Sequence, residues 1–351
     1  MAELRRILEL WRTARAQGED VCLATVVRVE GSAYRKPGAR MLLTSSGRRA
    51  GTVSGGCLEG EIQKKAWWLT ESGATVQRYS SFFDEDSEMP YGLGCGGTVY
   101  VLLERGAAAD RTLSALTYGA EHRSGVAIVS VIDTNSGEMP GTRLIVSDDG
   151  YILSGSPEDP LRGAAEEAVR NRKSSWQASF YIEYAAPPHG LFIFGAGDDA
   201  QPIVEFTHRL GWVVRVADGR SNLAKTERFP LADEVVVSRS FAEIAPQQCD
   251  AAVILTHSYE QDRAALRAML PRELAYLGIL GPKLRTERLL AAVAPEIGLT
   301  VEECLSRLHS PVGLDIGAKD PVSIALSIAA EIHAVLERRA RKALHPSAAH
   351  V

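Results

Sequence analysis

Long apolar runs are absent from this chain of 351 residues, and no segment reaches the roughly 20 consecutive apolar residues that a membrane-spanning helix needs. A basic excess is also absent, because 39 lysines and arginines stand against 44 aspartates and glutamates, for a net charge of −5. The first 20 residues carry charges throughout and lack the apolar centre of a signal peptide. We therefore expect a cytoplasmic protein with neither a membrane nor a nucleic acid as its partner.

Cysteine is scarce, with five residues and no CxxC pair, which indicates free thiols in a reducing compartment and no zinc site. Two of the five nevertheless lie inside glycine clusters: Cys57 in GTVSGGCLEG and Cys95 in GLGCGGT. Glycine allows the backbone to turn sharply or to approach another group closely. Two explanations stay open, namely a small side chain packed between tight turns and a thiol presented to a ligand.

The segment AAPPHG, residues 185–190, separates two halves of different construction. Short β-like runs such as VCLATVVRVEG and VAIVSVID, with helical stretches between them, predict an α+β domain over residues 1–186. Strands and helices alternate over residues 190–338, which predicts a Rossmann-like domain with a parallel sheet. The fold class is therefore α/β, and the basic tail at residues 339–351 is expected to be disordered.

The first strand of the second half ends in the turn GAGDDA, with glycine at Gly195 and Gly197. Asp218 ends the next strand 21 residues after Gly197, which is the spacing at which an acid meets the ribose of a dinucleotide such as NAD(P). The glycines would equally allow the helix and the strand to pack. Asp198 and Asp199 would repel a phosphate at the helix start, so both interpretations stay open.

Polar groups follow two later strands of the same half. His257 comes at the end of one strand, and Lys283 and Arg285 come just after another, where they could clamp an anion. A solvated histidine and an exposed basic helix face explain the same residues without a ligand. Because the ends of parallel strands share one edge of the sheet, we include all three in the candidate site.

Long motifs occur in both halves of the chain. They are ATVVRVEGSAYRKPGARMLLTSSG, GTVSGGCLEGEI and GLGCGGTVYVLLE in the first half, and FGAGDDAQPI, VADGR, THSYEQD, YLGILGPKLRTERLL and SPVGLDIGAKDPVSIALSIAAEI in the second. Through these motifs the chain, from about Val21 to Leu336, resembles the XdhC/CoxI family of accessory proteins for xanthine dehydrogenase and related molybdenum hydroxylases. The resemblance implies a protein that binds the molybdenum cofactor, supports its sulfuration with a cysteine desulfurase, and delivers it to the apo-hydroxylase. It also implies a Rossmann-like C-terminal domain and a homodimer.

If the resemblance holds, the glycine clusters face the cofactor. The backbone at Gly55 and Gly56 would approach the pterin edge and the phosphate, and Cys57 and Cys95 would lie near the metal or carry sulfur. The cations expected near the phosphate are Arg35, Lys36 and Arg40. We expect a chaperone more than an enzyme. The alternative is an NAD(P)-dependent oxidoreductase that acts on a pterin or another small molecule through the Rossmann domain.

Overall fold

The chain divides into two compact units, Glu3–Pro187 and a second that contains Pro188–Val351, in this computed structural model. The structure describes residues 2–80, 97–133, 140–177 and 179–338. The division falls within the proline-containing segment 185–190. The predicted tail at residues 339–351 lies outside the described residues.

Among the described residues, the first unit forms two five-stranded antiparallel sheets. The first sheet, in the order β3-β2-β1-β5-β4, contains β1 (Val21–Gly31), β2 (Arg40–Thr44), β3 (Arg49–Gly51), β4 (Thr75–Ser80) and β5 (Gly97–Arg105). The second, in the order β8-β7-β6-β10-β9, contains β6 (Val126–Val131), β7 (Gly141–Ser147), β8 (Ile152–Ser154), β9 (Ser175–Gln177) and β10 (Phe180–Ala185). The helices of this unit are α1 (Ala2–Ala16), α2 (Glu59–Leu69), α3 (Ala107–Glu121) and α4 (Arg162–Asn171).

The first seven residues of β1 are all buried, because both faces of this central strand are covered. Successive side chains of a strand point to opposite faces. Cys22, Ala24 and Val26 accordingly pack in the core that includes α2, whereas Val21 and Leu23 pack in the core that includes α1 and α3. The continuous apolar run of β1 therefore contributes to two separate cores.

A buried ion pair joins the two sheets of the first unit. Arg40 of β2 donates to both carboxylate oxygens of Glu183 in β10, with 2.8 Å between Nη1 and Oε1, and it also donates to the carbonyl of Gly38. Both charged side chains are only 8% exposed. Arg40 was predicted to lie near a phosphate, but its charge is neutralised inside the unit, so the structure gives it a different partner.

The described part of the second unit forms a five-stranded parallel sheet in the order β13-β12-β11-β14-β15. Its strands are β11 (Gly190–Phe194), β12 (Val213–Asp218), β13 (Glu234–Val237), β14 (Ala251–Ile254) and β15 (Tyr276–Ile279). Its α-helices are α5 (Ala200–Arg209), α6 (Tyr259–Met269), α7 (Lys283–Val293), α8 (Val301–Ser306) and α9 (Pro321–Leu336), with short 3-10 helices at Thr226–Arg228, Leu270–Arg272 and Ala294–Ile297. The predicted α/β fold, with its parallel C-terminal domain, is confirmed.

Helices cover both faces of the parallel sheet. On one face, Ile203 of α5 and Ile328 of α9 pack against the strands, and on the other face Leu266 of α6 and Leu290 of α7 do so. The chain runs from β11 to its neighbour β12 on one side and later returns to β14 on the other side. The carboxyl end of β11 is therefore the switch point at which doubly wound sheets hold their ligands. None of the described helices is long and apolar enough to cross a membrane.

A buried carboxylate fixes the segment that precedes α9. Glu331 accepts hydrogen bonds from the hydroxyl of Tyr276, at 2.6 Å, and from the backbone N–H of Gly313, at 2.8 Å. The ring of His309 stacks on Tyr276 and places its Nδ1 atom 3.6 Å from Glu331. At the start of the helix, Asp320 caps the N–H groups of Val322 and Ser323, and Pro321 occupies the first helical position.

Candidate functional site

The glycine turn after β11 is shaped by its neighbours in the fold. Gly195 has φ of +126°, and a Cβ atom there would lie 2.4 Å from the carbonyl oxygen of Leu255. No other residue fits between these two backbones. At Gly197, a Cβ atom would lie 2.6 Å from Oδ1 of Asp199. The structure thus gives Gly195 a role within the protein, whereas the neighbour of Gly197 is the end of a side chain that can shift. The contact of both glycines with a bound nucleotide stays a prediction.

Asp218, at the end of β12, is fully buried. One of its oxygens accepts from the N–H of Ala196 at 2.8 Å and from Arg220 Nη2 at 2.7 Å. The other accepts from the N–H and Nε of Arg220 at 2.8 and 2.9 Å. Burial opposes ionisation, but the hydrogen bonds from Arg220 and Ala196 outweigh it and lower the pKa of Asp218. The predicted ribose contact would require this carboxylate to leave the turn that it holds.

His257 follows β14 with a left-handed backbone, φ of +58°, which is uncommon for a residue other than glycine. Its Nε2 atom lies 2.6 Å from Oδ2 of Asp199, and the imidazole is 61% exposed while the Asp199 side chain is 16% exposed. His257, which was predicted to lie at the carboxyl edge of the sheet, therefore contacts Asp199, the residue directly before α5. Asp199 was considered from the sequence only as a helix-terminus charge, and its pairing with His257 was missed.

The predicted anion clamp at the start of α7 is largely neutralised. Arg285 is paired with Asp262, a buried carboxylate that also accepts from the N–H and the hydroxyl of Thr256, at 3.2 and 2.5 Å. Lys283 is exposed at the first position of α7. Arg285 thus helps to hold the turn after β14, and Lys283 is the member of the clamp that remains open to solvent.

Charges at this edge of the sheet occur in pairs. Arg220 pairs with Asp218, Arg285 pairs with Asp262, and Arg228 pairs with Asp198 at 2.6 Å. A fourth carboxylate, that of Asp199, faces His257. With these arginines already neutralised, the edge offers a phosphate far less attraction than the sequence suggests.

In the first unit, Cys57 lies on a loop that is held by hydrogen bonds to a buried carboxylate. The buried carboxylate of Glu59 accepts from the N–H groups of Val53 and Ser54, at 3.1 and 2.9 Å, and from the Ser54 hydroxyl at 2.5 Å. The Ser54 oxygen in turn accepts from the N–H groups of Gly56 and Leu58. Burial opposes ionisation of Glu59, but hydrogen bonds from Ser54 lower its pKa overall. This frame was missed, although a serine and a glutamate that flank a glycine pair are a recognisable signal.

The thiol of Cys57 is exposed at the tip of this loop. Gly56 has φ of +120° and needs to be glycine for that reason, whereas Gly55 lies beside the ring of Tyr34. The exposure does not fit the packing explanation for Cys57, and the contact of its thiol with a ligand stays a prediction. Cys95, the second predicted thiol, lies outside the described residues.

The other two cations predicted near a phosphate differ from each other. Arg35 is paired with Glu3. Lys36 is exposed and has no carboxylate partner among the described residues. Within residues 2–80, 97–133, 140–177 and 179–338, no group of three or more histidine, cysteine, aspartate or glutamate side chains is arranged to hold a metal ion. The contact between Cys57 and a metal stays a prediction.

Comparison with known proteins agrees with these two units. Residues 14–80 match the model of the XdhC and CoxI family, and residues 191–332 match the model of the XdhC Rossmann domain. A Bacillus subtilis protein named as a probable xanthine dehydrogenase subunit is 33% identical over 90% of this chain and 92% of its own length. The molybdenum cofactor insertion chaperone PaoD of Escherichia coli is 25% identical over 98% of this chain and 92% of its own length.

A solved structure is similar along the whole chain as well. The crystal structure of a protein named xanthine dehydrogenase from Bacillus halodurans has a TM-score of 0.76 and 31% identity, and the similarity covers 95% of this chain and 96% of the other. Similarity in sequence and in structure thus extends through both units. The chain belongs to the XdhC and CoxI family.

Proposed function

We propose that the protein is an accessory factor for molybdenum hydroxylases, which binds the molybdenum cofactor, supports its sulfuration and delivers it to the apo-enzyme. The observation that carries the proposal is the similarity over 98% of the chain to a relative named as a molybdenum cofactor insertion chaperone. The exposed thiol of Cys57, on a loop with its own rigid frame, supports the same function. A thiolate is a ligand that suits a thiophilic metal or a transferable sulfur atom.

Each candidate group in the first unit then has a defined task. Cys57 contacts the metal or carries sulfur during exchange, and the backbone of Gly55 and Gly56 lies along the pterin edge. Lys36 is the cation for the phosphate, since Arg35 and Arg40 already have carboxylate partners. We further propose a cytoplasmic homodimer that receives sulfur from a cysteine desulfurase and has a molybdenum hydroxylase as its client.

The alternative function, an NAD(P)-dependent oxidoreductase, gains no support from the geometry. Each oxygen of Asp218 already accepts two hydrogen bonds, and the N–H of Ala196 in the glycine turn is one of the donors. A dinucleotide normally uses an acid and a turn of this kind. In this protein the acid, Asp218, accepts a hydrogen bond from the N–H of Ala196 in the turn.

The test is reconstitution of a cofactor-free molybdenum hydroxylase under anaerobic, reducing conditions. The protein should retain the molybdenum cofactor in equilibrium dialysis and should raise the yield of active, sulfurated hydroxylase. Cys57→Ser should keep the fold and lose most of the activation, whereas Cys249→Ser, which removes another exposed thiol, should behave as wild type.

Two results would count against the proposal. If dialysis retains no molybdenum cofactor, the protein is not a cofactor chaperone. If Cys57→Ser and Cys249→Ser activate the hydroxylase equally well, the thiol of Cys57 takes no part in cofactor handling.

A further inference from the structure

A groove between α1 and α3 of the first unit takes no part in the proposed function. Its volume is about 560 Å³. Pockets that bind small molecules enclose roughly 300–1,000 Å³, so the groove is large enough for a ligand of that kind. Its walls come from the last turns of α1 and from the second half of α3 with His122, the residue that follows α3. None of the candidate cofactor residues of the first unit lines it.

Hydrogen bonds between the two helices fix the groove. Nε1 of Trp11 donates to Oδ1 of Asp110 at 2.8 Å, and Nη2 of Arg12 donates to Oε1 of Glu121 at 2.7 Å. Trp11 is also buried, and it belongs to the core that holds both helices on the sheets. A ligand therefore finds walls that are already in place, and little affinity is lost to the ordering of side chains.

Two stacks of planar groups line the groove. The rings of Tyr118 and His122 lie 4.1 Å apart at an angle of 18°, and Nδ1 of His122 donates to the carbonyl of Tyr118 at 3.0 Å, which holds the imidazole in the stack. On α1, the guanidinium of Arg15 lies over the indole of Trp11, 5.6 Å from the ring centroid. Flat groups of this kind favour a flat ligand, because aromatic rings and guanidinium groups stack on other planar groups.

Arg15 leaves the groove with one positive charge that the protein does not neutralise. Arg12 is paired with Glu121, whereas Arg15 has no carboxylate partner in the part of the chain that the structure describes. A guanidinium stacked on an indole presents its N–H groups at the edge of the plane, where they match the two oxygens of a carboxylate. The groove therefore favours a ligand that carries a single carboxylate.

We propose that the groove between α1 and α3 binds a planar aromatic carboxylate, with the acid on Arg15 and the ring against the stack of Tyr118 and His122. A neutral ring leaves the charge of Arg15 without a partner, and an acid without a flat ring leaves the stack uncovered. The proposal does not depend on the proposed function, because the groove and the candidate cofactor residues share no side chain.

Equilibrium dialysis of the full chain against 2-naphthoate, measured by the fluorescence of the naphthalene ring, tests the proposal. The matched neutral ligand, 2-naphthamide, should bind about tenfold more weakly, because it loses the charged hydrogen bonds to Arg15. Decahydro-2-naphthoate, measured by competition, keeps the charge without the flat ring and should bind about two- to tenfold more weakly, as expected for the loss of one aromatic stack. If 2-naphthoate is not retained, or if the three ligands bind equally, the proposal is wrong.

Two arginines of α1 provide matched variants. Arg15→Gln should weaken the binding of 2-naphthoate about tenfold and abolish its preference over 2-naphthamide, because the neutral side chain cannot pair with the acid. Arg6→Gln changes an exposed arginine of the same helix that does not line the groove, and it should leave both affinities as in wild type. Equal effects of the two substitutions would mean that Arg15 does not bind the acid, and would overturn the proposal.

A third variant tests the position of the ligand. Ser114 lines the groove at an exposed position of α3, so Ser114→Trp should fill the groove without disturbing the core. This variant should lose the binding of both 2-naphthoate and 2-naphthamide, while its midpoint of thermal unfolding stays as in wild type. Binding that survives Ser114→Trp would place the ligand elsewhere on the protein and would refute the proposal.

Discussion

Removing one partner of the buried Arg40–Glu183 pair should destabilise the first unit strongly. Both side chains are 8% exposed, so Arg40→Met leaves a carboxylate inside the protein without its counter-charge. Breaking a buried pair from one side costs about 3–5 kcal/mol. For a unit of this size, each kcal/mol lowers the midpoint of thermal unfolding by roughly 2–4 °C, so the expected decrease is roughly 6–20 °C.

Scanning calorimetry of the full chain measures this decrease in the unfolding midpoint. Two further variants show whether the unpaired buried charge causes it. The double variant Arg40→Met/Glu183→Leu should recover much of the lost stability, because two apolar side chains can replace a buried ion pair at little cost. Arg12→Met breaks an exposed pair with Glu121 in the same unit, whose side chains are 50% and 58% exposed, and should change the free energy of unfolding by less than about 1 kcal/mol. If Arg40→Met melts like wild type but loses cofactor binding, Arg40 is a ligand-binding cation after all and the structural role is refuted.

Two other predictions concern the thiols and a buried carboxylate. Brief treatment of the native protein with iodoacetamide should label Cys57 and Cys249 and spare Cys22 and Cys304. The reason is that burial raises the pKa of the Cys22 thiol to about 12 and also raises the pKa of the Cys304 thiol. Peptide mass mapping that finds Cys22 labelled before Cys57 would contradict this prediction. Burial opposes ionisation of Glu331, but hydrogen bonds from His309, Tyr276 and Gly313 lower its pKa from 4.5 to about 2. Because the folded-state pKa is the lower one, Glu331 should contribute up to about 3 kcal/mol of stability above pH 4.5 that is lost as the pH falls to about 2. Denaturant unfolding of wild type and Glu331→Gln across this range checks the prediction, and equal acid sensitivity of the two proteins would refute it.

Local patterns were sufficient for most elements of the fold. The alternation of strands and helices after Gly190 predicts the parallel sheet, and short β-like runs predict most strands of the first unit. The division of the first unit into two sheets was not predicted, because it depends on which distant strands pair. The strand Thr75–Ser80 was missed, since TVQRYS lacks the apolar alternation that marks a strand.

The contacts of the candidate site residues, in contrast to the strands and helices, could not be predicted from local sequence patterns. Arg40 and Arg285 were selected for their charge, but their carboxylate partners lie 143 and 23 residues away in the sequence. No local pattern connects such residues. One signal was present nevertheless: Glu183 interrupts the apolar strand FYIEYA, and a charged residue inside a buried strand requires a partner.

In the loop that carries Cys57, the backbone conformation does not depend on the side chain at position 57. Its conformation depends on Ser54, Gly56 and the buried carboxylate of Glu59, and none of the hydrogen bonds that hold it involves the side chain at position 57. The side chain at this position can therefore change, by mutation or by chemical modification, while the backbone around it stays the same. Selenocysteine, serine or an alkylated cysteine would each be presented in the same place. The reactivity of the side chain at position 57 can therefore evolve, or be engineered, without a change in the fold of the first unit.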